Sequence, residues 1–203
     1  MDLRRFACIA FILFLAGAAR AEDARPVAVR ATIGTVSSDG SSFTAKTRDG
    51  QERTVHVNPK TRFVLVRSAA LADVKPGTFI GVAAMPTDSG EQKALDVHIF
   101  PEAMRGTGEG FRPYDIAPGS TMTNGNVDAR VDNVNGPRLT VTYKGGKQTI
   151  LVDPSTPIVA FEPGASGDVK SGAAILARGP AEADGTIDAA FVLIGKDGLT
   201  PPL

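Results

Sequence analysis

The sequence predicts an all-β protein: two small β-barrels in tandem, joined by an irregular crossover segment. Three observations carry that expectation. The chain is written twice at a fixed offset of 95 residues, apolar and polar residues alternate in short runs, and Gly, Pro and Asx turn signals separate those runs. Turn signals returning about every eight to twelve residues are the pattern of small barrels and sandwiches.

The repeat is explicit. Thr54-Val55-His56-Val57-Asn58-Pro59-Lys60-Thr61 recurs as Thr149-Ile150-Leu151-Val152-Asp153-Pro154-Ser155-Thr156, and Asp73-Val74-Lys75-Pro76-Gly77 as Asp168-Val169-Lys170-Ser171-Gly172. Of these 13 aligned positions 8 are identical and the register does not change between the two stretches. Two copies of one module are thus expected, over residues 28–99 and 123–195, with the crossover at 100–122 and a tail at 196–203.

In the first module, Val27 to Val36 alternates with period 2, the signal of a half-buried strand. Gly40 turns the chain into a second strand over 42–47, and Arg48-Asp49-Gly50 turns it into a third over 51–57. Asn58-Pro59 ends that strand, because proline has no N–H to give a ladder. A short strand over 63–66 precedes one helical turn over 69–74, closed by Pro76-Gly77. Strands over 78–84 and 95–100, joined through Asp88-Ser89-Gly90, complete the module. The second module repeats the plan with Gly136, Gly145-Gly146 and Asp184-Gly185 at its turns. Closure into barrels would remove the unpaired strand edges that an open sheet exposes. Units this small bury a limited core, so the two are expected to pack on each other or on a partner.

The N-terminus reads as a signal peptide over residues 1–21. Arg4-Arg5 precede an apolar run from Phe6 to Ala16, and Ala19-Arg20-Ala21 gives a small-x-small site with cleavage expected after Ala21. A periplasmic product follows from that expectation. Its 182 residues hold no cysteine, and loss of Arg4, Arg5, Arg20 and Asp2 leaves 19 basic against 21 acidic residues. That excludes disulfides and thiolate chemistry. It also argues against nucleic acid as a partner, since phosphate backbones require a strong positive field. No mature stretch reaches the roughly 20 apolar residues of a membrane-spanning helix.

The crossover departs from the alternating pattern and carries seven Gly and Pro between Pro101 and Met122. It is also rich in Arg, Met and aromatic residues, the types that concentrate at interface cores. Arg105, Phe111, Arg112 and Tyr114 are therefore the candidates for contact with a partner or ligand. Arg105-Gly106-Thr107-Gly108-Glu109-Gly110 lacks the following helix that a phosphate-cradling loop needs, and reads as a glycine-loosened crossover.

Asp96 and His98 lie two apart on a predicted strand and project from one face. Their counterparts in the second module are the apolar Phe191 and Leu193. The pair reads either as a solvent-facing pair at a strand end or, with Glu102 and Met104, as a metal site. Imidazole with thioether would suit copper, and imidazole with carboxylate zinc or nickel. His56, aligned with Leu151, reads as a half-buried structural residue. Glu102, Glu109 and Asp115 offer no rigid carboxylate pair of the glycosidase kind, and there is no nucleophile-elbow sequence, so no enzyme is expected.

The pattern Gly34-Thr35-Val36, Asn58-Pro59-Lys60-Thr61, Leu71-Ala72-Asp73-Val74-Lys75-Pro76-Gly77 and Ala94-Leu95-Asp96-Val97 resembles the DUF5666 family of exported bacterial β-modules. The stretches 98–110 and 118–124 are similar to a proteobacterial subgroup that sometimes carries the label of a metal-transporter permease. The resemblance implies that the two barrels are OB-like and supplies no catalytic residues. A permease in the literal sense would need several membrane helices, which the mature chain does not offer. The expected function is thus a periplasmic binding or interaction protein for an unidentified protein or small ligand. The alternative is a metal-handling accessory for copper, zinc or nickel, associated with metal transport.

Overall fold

Fourteen strands carry the fold in a computed structural model that describes residues 26–132 and 136–202. The predicted signal peptide lies outside the described residues. In chain order the first repeat supplies β1 (Val27–Val36), β2 (Ser42–Thr47), β3 (Glu52–His56), β4 (Arg62–Ser68), β5 (Phe79–Pro86) and β6 (Gln92–Ile99). The crossover contributes β7 (Gly110–Pro113). The second repeat supplies β8 (Thr121–Val131), β9 (Arg138–Tyr143), β10 (Gly146–Leu151), β11 (Ile158–Pro163), β12 (Ala174–Gly179), β13 (Ile187–Asp188) and β14 (Phe191–Gly195). The expected all-β class holds, and so does the repeat of strand positions.

Five of these strands close into a barrel. β8 pairs with β5 and β9, β5 with β6, and β9 with β10, all antiparallel. β10 then returns to β6 in parallel, with Ile150 opposite Gln92 and Leu151 opposite Lys93. Alternation aims Ile80, Val82, Val97, Leu139, Val141 and Ile150 into its interior, where all are fully buried. At about 25 cal/mol per Å², burying each such side chain contributes roughly 1.5–3 kcal/mol.

The pairing does not keep each repeat to itself, which corrects the expectation of one self-contained barrel per module. The closed barrel takes β8–β10 from the second repeat and β5–β6 from the first. Conversely β2 of the first repeat pairs with β1 and β3, whose outer partners are β12 and β13 of the second, and β12 pairs with β14. There Ile187 lies opposite Val55 and Asp188 opposite His56, which is the Gln92–Ile150 contact displaced by 95 residues. The last strand of this set is broken at Ala189–Ala190 into β13 and β14.

The exchange runs through β4 and β11. These equivalent strands pair antiparallel with one another, and each flanks the final strand of a five-stranded set in parallel: β4 beside β14, β11 beside β6. A third core forms over them from Val64, Val66, Val159, Phe161, Leu176 and Leu193. Two equal copies make the exchange possible, because either copy's last strands fit either copy's first three.

The repeated motifs are structural. In Leu71–Asp73 and Ser166–Asp168 a single turn of 3₁₀ helix is closed by an aspartate, the Ala70 N–H donating to Asp73 Oδ2 at 3.0 Å and the Ala165 N–H to Asp168 Oδ2 at 2.8 Å. The glycine ending each motif, Gly77 or Gly172, has a φ of 85° or 86°, which glycine alone adopts without penalty. Asn58 Oδ1 accepts from the Lys60 N–H, and the buried Thr61 hydroxyl donates to the Ala189 carbonyl at 2.6 Å. The crossover, expected to be irregular, includes β7, which lies antiparallel to β8.

Candidate functional site

One face of the sheet, running across β12, β14, β4, β11, β6, β5 and β8, is the floor of a cleft of about 730 Å³. Strand register sets its rows. Arg62, Phe191 and Arg178 are opposite one another on β4, β14 and β12, and two residues further along lie Val64, Leu193 and Leu176. Residues two apart on a strand share a face, so a mouth of two arginines around a phenylalanine leads to an aliphatic floor.

Beyond that floor the wall becomes polar. The His98 ring stacks on Phe161 with centroids 5.4 Å apart at 19°, and Phe100 meets Phe161 edge-on at 5.1 Å. His98 on β6 and Asn124 on β8 both lie opposite Gly81 on β5. Gly81 is what lets them approach. A Cβ there would stand 2.8 Å from Asn124 Oδ1, 3.1 Å from Phe100 Cε2 and 3.3 Å from His98 Nδ1.

Asp96 and His98 are 1% and 2% exposed. The reading of a solvent-facing pair is thereby corrected: β11 pairs along the edge of β6, and Phe161 with the third core covers the face that carries His98. His98 Nε2 lies 2.7 Å from Asp96 Oδ1, yet the approach is off-axis and Nε2 makes no well-directed hydrogen bond. Asp96 Oδ1 also accepts from the Ala83 N–H at 3.3 Å, while Asp96 Oδ2 and Asn124 Oδ1 are buried with no hydrogen-bond partner among the described residues. Asn124 Nδ2 donates to the Thr107 carbonyl at 2.9 Å, tying the wall to the crossover.

The crossover forms the roof. Met104, Arg112 and Tyr114 line the cleft from above. Burial, with the neighbouring Asp115 charge adding to it, pushes the Tyr114 hydroxyl above its ordinary pKa. Arg112 Nη1 donates to the Gly108 carbonyl at 2.7 Å. Burial holds the Arg112 guanidinium below its usual range, and the Arg178 charge acts in the same direction.

Of the residues expected to contact a ligand, Arg112 and Tyr114 line the cleft and Arg105 and Phe111 do not. Arg105 is an internal clamp. It donates to Glu102 through Nε at 2.6 Å and Nη2 at 2.7 Å, to the Gly77 carbonyl at 3.0 Å and to Asn126, and lies 5.9 Å from the centre of the Phe79 ring. Phe111 projects from β7 with 42% of its surface exposed. Of the expected metal ligands, Asp96 and His98 come together and Met104 shares the cleft with His98. Glu102 is turned to Arg105, whose hydrogen bond lowers its pKa. Among the described residues no group of three or more His, Cys, Asp or Glu is placed to hold a metal ion. His56, expected to be half-buried, is exposed with Nδ1 3.5 Å from Asp188, because the alternation of β3 turns Val55 inward and His56 out.

Arg62, Asn124, Arg178 and Phe191 escape a reading of the sequence. For the two arginines a signal does exist. Arg178 stands where the first repeat has Ala83, and Arg62 where the second has Pro157. Charge appearing in only one of two copies marks departure from the shared scaffold.

Comparison with known protein families, with curated proteins and with solved structures gives no match. Fold and site alone define the class: an all-β chain with a closed five-stranded barrel, outer strands and a cleft of ligand size.

Proposed function

We propose that the protein is a binding protein that receives a small, largely apolar ligand in the cleft beneath the crossover. One observation carries this reading. The cleft's volume of about 730 Å³ falls within the roughly 300–1,000 Å³ of small-molecule sites, and its lining is mostly apolar with a few placed polar groups. Asn124 Oδ1 on the wall, buried and without a hydrogen-bond partner among the described residues, is an acceptor for a ligand donor. In the same proposal the protein is exported to the periplasm and consists of two OB-like barrels of the DUF5666 kind that exchange their last strands. Arg112 and Tyr114 act at the roof, and Arg105 holds the roof in place.

The test is equilibrium binding of Nile red, an apolar dye whose emission rises in a dry pocket. Saturable one-to-one binding is expected, weakened at least tenfold by Leu176→Trp, which fills the floor; about 1.4 kcal/mol corresponds to that factor. Unchanged affinity in the filled variant would place the dye elsewhere and end the proposal.

A metal-handling role is the second reading, favoured by the buried Asp96–His98 contact and by Met104 on the same cleft. A ligand at 100 times its Kd stabilises by about 2.7 kcal/mol. Copper, zinc or nickel should then raise the melting midpoint by roughly 5–10 °C in a chain of this size, and His98→Ala should abolish the rise. Absence of any shift removes the reading.

A further inference from the structure

We infer that the cleft selects an amphipathic anion, its apolar body on the Leu176–Leu193–Val64 floor and its acidic headgroup at the mouth among Arg62, Arg112 and Arg178. The inference rests on the binding reading above and adds the chemical class of the ligand. Its first support is the register. Arg62 and Arg178 flank Phe191 on the two strands beside β14, so both arms rise from one face. Neighbouring strands are about 4.8 Å apart, which puts the two backbones roughly 10 Å from each other, within reach of two long side chains closing on one headgroup.

The second support is charge. The residues lining the cleft include three arginines and no aspartate or glutamate. Asp96 lies behind His98, not on the wall, and is engaged by it. Elsewhere arginines sit on carboxylates: Arg67 on Glu162, Arg105 on Glu102, Arg130 on Asp132 and Arg138 on Glu91. Neither Arg62 nor Arg178 has an ion-pair partner among the described residues, and Arg112 reaches only the Gly108 carbonyl. The partial burial of Arg112 and the proximity of Arg178 both disfavour its charge, and a bound anion would relieve both. Guanidinium groups present a planar fork of donors that fits carboxylate, sulfonate or phosphate oxygens.

The third support is the depth of the apolar rows. A small inorganic anion would leave Leu176, Leu193, Val64 and Phe161 uncovered. An apolar molecule without a charge would leave the arginines facing one another. A molecule bearing both parts satisfies both ends of the cleft.

The experiment uses the protein with its expected signal peptide removed and displaces Nile red with decanoate, decanol or decyltrimethylammonium below micelle-forming concentrations. Decanoate is expected to displace the dye at a concentration at least about tenfold lower than decanol, with the cation no better than decanol. Arg112→Gln with Arg178→Gln should erase the preference for decanoate, and an unchanged circular dichroism spectrum reports that the variant is folded. Arg62→Gln alone should reduce the preference, and serves if the double variant does not fold. Equal displacement by decanoate and decanol would overturn the anion inference and leave the binding proposal standing. A decanoate preference that survives loss of the arginines overturns it too, and failure of the dye itself to bind sinks both proposals.

Discussion

Val66 and Phe161 hold the same place in the two repeats, and they are paired with each other across the antiparallel ladder of β4 and β11. Residues related by the 95-residue offset can face one another only where a local twofold axis passes. The neighbouring pairs obey it: Leu65 lies opposite Glu162, and Arg67 opposite Ala160. The ion pair between the equivalent Arg67 and Glu162, 2.6 Å apart, also spans the axis. The repeats thus relate as subunits of a strand-exchanged dimer would, joined into one chain by the crossover. The cleft lies beside this axis and breaks its symmetry, because Asp96 and His98 on one side answer to Phe191 and Leu193 on the other.

Exchange predicts that neither half is self-sufficient. Residues 26–100 produced alone would leave β1 without β12 and β5 without β8, each a full antiparallel ladder. The expected result is an unfolded monomer or an association of two copies, with recovery of the native strand signal when residues 101–202 are supplied in trans. Circular dichroism with sedimentation analysis decides it. A stable, monomeric, strand-rich half would show that each repeat closes on its own.

How much of this was legible depends on whether the information is local. Strand positions, the turn glycines and the Asp73 and Asp168 turns follow from period-2 alternation and turn chemistry, so they are readable. The identity of each strand's partner is not, since β5–β6 carries the same pattern as β12–β14. Asp96 and His98 were readable as sharing one face of a strand. That β11 and Phe161 cover this face is a long-range fact without a local signature. Arg105 and Arg112 look alike in composition. What separates them is Glu102, three residues before Arg105 on the same turn, which takes that guanidinium out of the cleft.

The second repeat suggests a variant of the buried pair. Removing one partner of a buried polar contact leaves the other unsatisfied, at a cost of about 1–3 kcal/mol and more where the group left behind is charged. His98→Leu leaves the Asp96 carboxylate with only the Ala83 N–H at 3.3 Å. A fall in melting midpoint on the order of 10 °C is expected. Asp96→Leu with His98→Leu restores the apolar character that Phe191 and Leu193 have in the other copy. It should cost less than the sum of the single changes, with a coupling of about 1 kcal/mol or more. A double-mutant cycle by urea denaturation measures this, and additive losses would mean that the two side chains do not compensate each other.

Gly81 should resist a methyl group. Alanine lowers the entropy of the unfolded chain and by itself stabilises by about 0.4–1 kcal/mol. Against that, its Cβ would stand 2.8 Å from Asn124 Oδ1 and 3.1 Å from Phe100, in a packed wall where overpacking costs about 1–3 kcal/mol. Overpacking wins, so Gly81→Ala is expected to lower the midpoint by roughly 5 °C. Gly167→Ala is the matched control, since nothing lies within 4 Å of its added Cβ and its φ is not positive. Calorimetry should find the control neutral or slightly stabilised, and equal losses at the two glycines would remove the crowding argument.

Tyr114 makes stability sensitive to alkali. Its hydroxyl pKa is raised above the ordinary 10.0 first by burial and then by the Asp115 charge. Below that ordinary value the phenol is protonated in both the folded and unfolded chains, and its contribution to stability is fully present. As pH rises through 10.0 the unfolded chain releases the proton first, so unfolding gains a driving force until the folded pKa is passed. One proton sets a ceiling of about 1.4 kcal/mol per pH unit on the loss. Tyr114→Phe keeps the ring against the third core and removes the ionisation. Urea midpoints followed from about pH 8 to about pH 11 should therefore fall more steeply for the native protein than for the variant. The chain has only 2 tyrosines, so ultraviolet difference absorbance should also lose its late-titrating component in the variant. Parallel pH profiles would show that Tyr114 is hydrated and that the crossover does not seal the cleft above it.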